Sequence, residues 1–148
     1  MKKIFALLAG LLFTNCAENP QQKKVAIQQK AQLIHLKTTT LDTHNDIDVK
    51  NFTDSLNYSQ NTDTQVNLPK MQAGALDVSW FIVYTKQGDL TPQGYKKAAD
   101  NAQSKFDAIR RLTEIYAPTK IGLATSSKEV DSLRKMSKKV AMIGVENA

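Results

Sequence analysis

Leu76, Val78, Trp80, Phe81, Ile82, Val83 and Tyr84 fall within nine consecutive residues, a nearly unbroken apolar run. A strand with one face in water alternates apolar and polar side chains; a strand covered on both faces does not. Such a strand belongs to a parallel sheet with helices packed against it, so the chain is expected to be α/β. The flanking sequence agrees. Residues 38–43 are short and β-branched, a strand pattern, and residues 48–67 are a long polar loop. A short helical turn through Met71 and Ala73 to Gly74 leads into the apolar run. Thr91 and Pro92 then mark a helix start. Tyr95, Ala98, Ala99, Ala102, Phe106, Ile109, Leu112 and Ile115 continue that helix at three- and four-residue steps until Pro118. Residues 120–124 are a brief apolar segment. Ser126 and Glu129 form a capping box, opening a helix through Val130 and Leu133 to about residue 138. Residues 139–145 are a further strand. Strands alternating with helices predict right-handed parallel crossovers.

The N-terminus carries a targeting pattern. Lys2 and Lys3 precede a short apolar run from Ile4 to Phe13, too short to span a bilayer. Three residues after the run stands Cys16, the sole cysteine, so no disulfide can form within the chain. Residues 1–15 are expected to be a lipoprotein-type signal peptide, with Cys16 as the lipidated residue. Phe13 and Asn15 depart from the common lipobox, and the alternative is ordinary secretion with a free thiol. Residues 16–37 are expected to be a tether followed by an amphipathic helix, and residues 38–148 the body of the protein. The expected location is the cell envelope: lipid-anchored, periplasmic or extracellular.

Lys and Arg number 20 against 14 acids, a net charge of +6. No basic-aromatic interleaving accompanies that excess, so nucleic acid is not an expected partner. A glycine-flanked nucleophilic serine, a phosphate-binding loop and the His-Glu-x-x-His zinc motif are all missing.

What remains is a set of ligand-type residues. His44 and Asp46 follow the first strand pattern, and Glu146 closes the last. Side chains two apart on a strand face the same way, so His44 and Asp46 can reach one cation, and Asp42 would share their side. Imidazole with carboxylate suits zinc or a similar divalent ion. A carboxylate from another strand can bridge to a second ion, and such a pair can hold a hydroxide and polarise a carbonyl. Ligands at the C-terminal ends of strands are how a (β/α) barrel builds such a centre. His35 stands on or beside the first helix and receives no role. Trp80 and Phe81 read as core.

Residues 42–46 (Asp42, Thr43, His44, Asn45, Asp46) resemble the opening motif of the membrane (renal) dipeptidase family. Residues 62–74 are similar to that family's loop into the second strand, residues 78–85 to the strand that follows, and residues 139–146 to the segment carrying its bridging glutamate. The resemblance implies a zinc-dependent dipeptidase on a (β/α)8 TIM-type barrel, with His44 and Asp46 on one zinc and Glu146 bridging two. A metal-bridging hydroxide would attack the dipeptide carbonyl. Two further histidines are implied on later strands. A closed barrel needs about 250 residues, so this chain of 148 is expected to be an incomplete N-terminal part. It is also expected to be inactive alone, with residues 76–84 and 140–145 exposing unpaired edges. Asn147 stands where the family pattern leads one to expect glycine. The partner expectations are a dipeptide, a membrane reached through a lipid on Cys16, and a homodimer. The rival readings are another metal-dependent amidohydrolase and a non-catalytic truncated lipoprotein.

Overall fold

The computed structural model describes residues 19–147; Cys16 and the targeting segment lie outside them. The chain divides into two units, the first ending at Ile34 and the second starting at His35.

Helix α1 (Pro20–Lys37) starts on Asn19, whose side chain accepts from the Gln21 N–H at 2.9 Å. It is not amphipathic, contrary to expectation. At 100° per residue, Ile27 and Ile34 point away from Val25, Leu33 and Leu36, so no apolar stripe forms. None of its residues is buried.

From His35 onward the order is β1 (Leu41–Asp46), a 3-10 turn (Val49–Asn51), α2 (Leu68–Ala73), β2 (Val78–Tyr84), α3 (Pro92–Arg111), a π-helical turn (Leu112–Tyr116), β3 (Ile121–Leu123), α4 (Ser127–Lys135) and β4 (Lys139–Glu146). The four strands form one parallel sheet in the order β1-β2-β4-β3. The helix starts match their sequence signals. Thr91 Oγ1 accepts from Gly94 N–H at 3.0 Å, and Ser126 Oγ accepts from Glu129 N–H at 3.3 Å. The Thr125 N–H and hydroxyl both donate to the Glu129 carboxylate, holding it below the usual carboxylate range.

The strand order explains where the helices lie. The β2-α3-β3 connection steps past β4, whereas β3-α4-β4 steps back. Right-handed crossovers in opposite directions put their helices on opposite faces. The packing obeys this. Phe81, Val83, Ile121 and Ala141 join Ala108, Ile109 and Leu112 in one core cluster. Val78, Val140 and Ala124 form another with Trp80, Met142 and, from α4, Val130 and Leu133. Gly122 faces α4 so closely that a Cβ there would lie 2.5 Å from a Leu133 methyl.

Three expectations are corrected. β1 spans Leu41–Asp46, not residues 38–43, because its pairing begins where Leu41 meets Val78. Thr40 instead binds the strand's foot to Asp77 and Ala75. β2 has no open edge, since β1 and β4 flank it. The open stretch is the upper half of β4, because β3 pairs only along Lys139–Ala141. The 48–67 loop is not merely polar cover. Phe52 and Tyr58 are buried with ring centroids 4.4 Å apart, and Tyr58 meets Phe81 edge-on at 5.9 Å.

Candidate metal centre

β1 carries a bulge. Asp42 pairs with Ser79 and Asn45 with Phe81, so three steps on β1 match two on β2. The extra residue leaves Thr43 and His44 together opposite Trp80. Asp42 therefore falls in step with Asn45 and not with His44, contrary to simple alternation. Its carboxylate accepts the His44 backbone N–H at 3.1 Å and steadies the bulge. Asn45 turns into the core, where its amide donates to Ser79 Oγ at 2.9 Å. That bond ties the end of β1 to β2. His44 and Asp46 consequently face the opposite side of the sheet, the side shared by Ile82, Tyr84, Gly144 and Glu146.

On that side the three ligand-type residues meet across β2. His44 Nε2 lies 3.3 Å from Glu146 Oε2 and 3.7 Å from Asp46 Oδ1. One ligand atom from each residue lies within 4.8 Å of the other two. The imidazole is 57% exposed and the Asp46 and Glu146 carboxylates 73% and 48%, so the cluster opens to solvent. Two donors each about 2.0–2.1 Å from one tetrahedral ion are about 3.3–3.4 Å apart. The His44–Glu146 separation already equals that spacing, and Asp46 needs only a small closure. Two carboxylates brought this close repel each other, and a shared cation removes the repulsion. The donor set therefore fits a divalent ion. His35, in α1, is not part of the cluster.

The floor beneath the cluster depends on a missing side chain. Asp46, Ile82 and Gly144 stand at one level across the sheet. A Cβ on residue 144 would lie 2.7 Å from Ile82 Cδ1 and 3.6 Å from the Trp80 ring. Ile82 is almost fully buried and would have to swing toward β1, into the space under His44 and Asp46. Gly144→Ala is expected to cost about 1–3 kcal/mol by overpacking and to weaken cation binding as well. Denaturant unfolding and chelator competition read the two effects separately; a fall in stability with unchanged cation affinity removes Gly144 from any part in shaping the site.

Asn147 follows directly and adopts φ 56°, in the left-handed region. Glycine suits that conformation best and asparagine comes next, which accounts for the residue found here. Its amide donates to the Thr85 carbonyl at 2.8 Å, fixing the turn after Glu146. Sequence reasoning missed that hydrogen bond, the bulge and the Asn45–Ser79 link; each depends on a residue more than thirty positions away or on strand register.

A parallel α/β sheet that collects an imidazole and two carboxylates at the C-terminal ends of its strands has the architecture of a metal-dependent hydrolase. The family model for membrane dipeptidases, peptidase family M19, matches residues 28–148, and the chain belongs to that family. The crystal structure of the probable dipeptidase PvdM from Pseudomonas aeruginosa matches 86% of this chain with a TM-score of 0.72 at 16% identity. At that identity the likeness is one of fold. It supports the α/β class and the N-terminal part of a TIM-type barrel. The chain spans 32% of the length of PvdM. No curated protein matches the sequence.

Proposed function

We propose that this chain carries the first ligands of the metal centre of an exported dipeptidase, with zinc as its cation and two ions in the complete site. One observation carries the reading: His44, Asp46 and Glu146 converge within 4.8 Å at the ends of two parallel strands, in a chain of the membrane dipeptidase family. Imidazole with carboxylates is a donor set that suits zinc. Bound ions would supply Lewis acidity, polarising a scissile carbonyl and making water nucleophilic near neutral pH. His44 and Asp46 would hold one ion, and Glu146, with two carboxylate oxygens, could serve both ions. Asn45, through Ser79, keeps the end of β1 at its height. Asp42 sets the His44 backbone, so the imidazole enters from a fixed direction. The solvent-facing side of all three ligands leaves a dipeptide room to approach. The proposal includes inactivity of the 148-residue polypeptide alone, because these three donors do not complete two coordination spheres.

Stripping the full-length gene product with a chelator is expected to abolish hydrolysis of Ala-Ala, and zinc is expected to restore it. Turnover that survives complete metal removal ends the reading. Turnover by the 148-residue polypeptide alone ends the claim that further donors are required.

Export belongs to the same proposal. Lys2, Lys3 and the short apolar run ending at Cys16 support a lipoprotein signal. Among the described residues no helix is long and apolar enough to cross a membrane. Incorporation of labelled palmitate, lost on Cys16→Ala, reads the anchor directly; equal labelling of both proteins rejects it.

A further inference from the structure

Helix α1 carries Lys23, Lys24, Lys30 and Lys37 and no acidic residue. Among the described residues no ion pair includes any of these lysines. A solvated helix usually mixes both signs, so that residues three or four apart pair. Lys23 and Lys24 also stand close to the positive end of the helix, where a cation is disfavoured. Every residue of α1 is exposed, Ile27 at 60% and Ile34 at 54%.

Helical periodicity gathers part of this charge on one face. Lys23, Lys30 and Lys37 recur every seven residues, which falls only about 20° short of two full turns. Ile27 and Ile34 come between them at steps of four and three. The five side chains form one stripe about 21 Å long. Val25, Leu33 and Leu36 lie round the far side of the helix. With apolar residues on both sides, α1 cannot sink one face into hydrocarbon and leave the other in water. A surface that engages the stripe is met at its charged layer.

We propose that α1 docks on a bilayer of anionic phospholipid through its Lys23-Ile27-Lys30-Ile34-Lys37 face. The inference rests on the export reading, which supplies the membrane. Pro20 stands four residues after Cys16, so an acyl anchor there keeps the start of α1 within about 14 Å of the anchored residue. Lipid phosphates supply the counter-charge that α1 lacks. Lysine stems can lie along the two isoleucines while their ammonium groups reach those phosphates. An acidic protein would satisfy the same charges, but the place of α1 beside the anchor favours the bilayer.

The test uses the full-length gene product beginning at Ala17, which lacks both the targeting segment and the acylated cysteine. It is expected to sediment with vesicles of mixed phosphatidylcholine and phosphatidylglycerol and not with phosphatidylcholine alone. Each lysine at such a surface contributes about a factor of five, so Lys23→Gln/Lys30→Gln/Lys37→Gln should weaken binding about 100-fold. Raising the salt should release the native protein. Lys96→Gln/Lys97→Gln/Lys105→Gln removes the same charge from α3 and should keep native binding. Equal loss in the two triple variants, or binding that ignores phosphatidylglycerol or salt, overturns the proposal. Tighter lysine-dependent binding to polyglutamate than to the vesicles overturns it in favour of an acidic protein. Palmitate labelling at Cys16 is read separately, so a failed anchor and a failed α1 contact are told apart.

Discussion

His44→Ala in the full-length gene product is expected to lower cation affinity by more than about 100-fold, because even partners one shell removed from a metal typically cost 10–100-fold. The imidazole is the hub of the cluster: both recorded close contacts, 3.3 Å to Glu146 and 3.7 Å to Asp46, run through Nε2. Without it, two carboxylates from separate strands face each other with no neutral donor between them. Dipeptide turnover should fall with the metal. His44→Ala should leave the fold intact, because the side chain is more than half exposed and Asp42 binds the residue's backbone, not its ring. Metal analysis alongside circular dichroism separates loss of the ion from loss of structure. A folded variant with native metal content contradicts the assignment.

Phe81→Ala should produce the largest loss of stability. Phe81 is 1% exposed, at the centre of β2, with β1 and β4 on either side. Its ring meets Tyr58 edge-on at 5.9 Å and belongs to the cluster that holds Ile109 and Leu112. Truncating such a ring costs about 3–5 kcal/mol, a large share of the roughly 5–15 kcal/mol that holds a typical domain together. Leu90→Ala is the natural comparison, since Leu90 is 74% exposed. That change should stay within about 0.5 kcal/mol. Denaturant midpoints of the two variants test the contrast. Near-equal midpoints would show that the buried face of β2 is not where stability resides.

The sequence revealed those parts of the fold that are written locally. The unbroken apolar character of β2 announces coverage on both faces, and helices do pack on both faces of this sheet. Thr91 and Ser126 declare their helix starts because a cap is a contact between residues three apart. Residues in register across strands are a different matter. The bulge in β1 arises from pairing with β2 more than thirty residues later, so alternation from Asp42 to His44 gave the wrong side for Asp42. The insertion of β4 between β2 and β3 is likewise invisible locally. Helix α1 shows the opposite failure: near-helical spacing of a few apolar residues suggested a face, while Ile27 and Ile34 point elsewhere on the helix. At the site, the residue types were legible as metal ligands. Their convergence was expected from the family resemblance, but its arrangement across β2 was not legible, because only the sheet order sets β4 beside β2.

Diffraction data collected at the zinc absorption edge from crystals of the full-length gene product would probe the metal centre most directly. An anomalous peak about 2 Å from His44 Nε2 and from a carboxylate oxygen each of Asp46 and Glu146 is the predicted result. Active protein whose anomalous peaks all lie away from these three side chains would contradict the account.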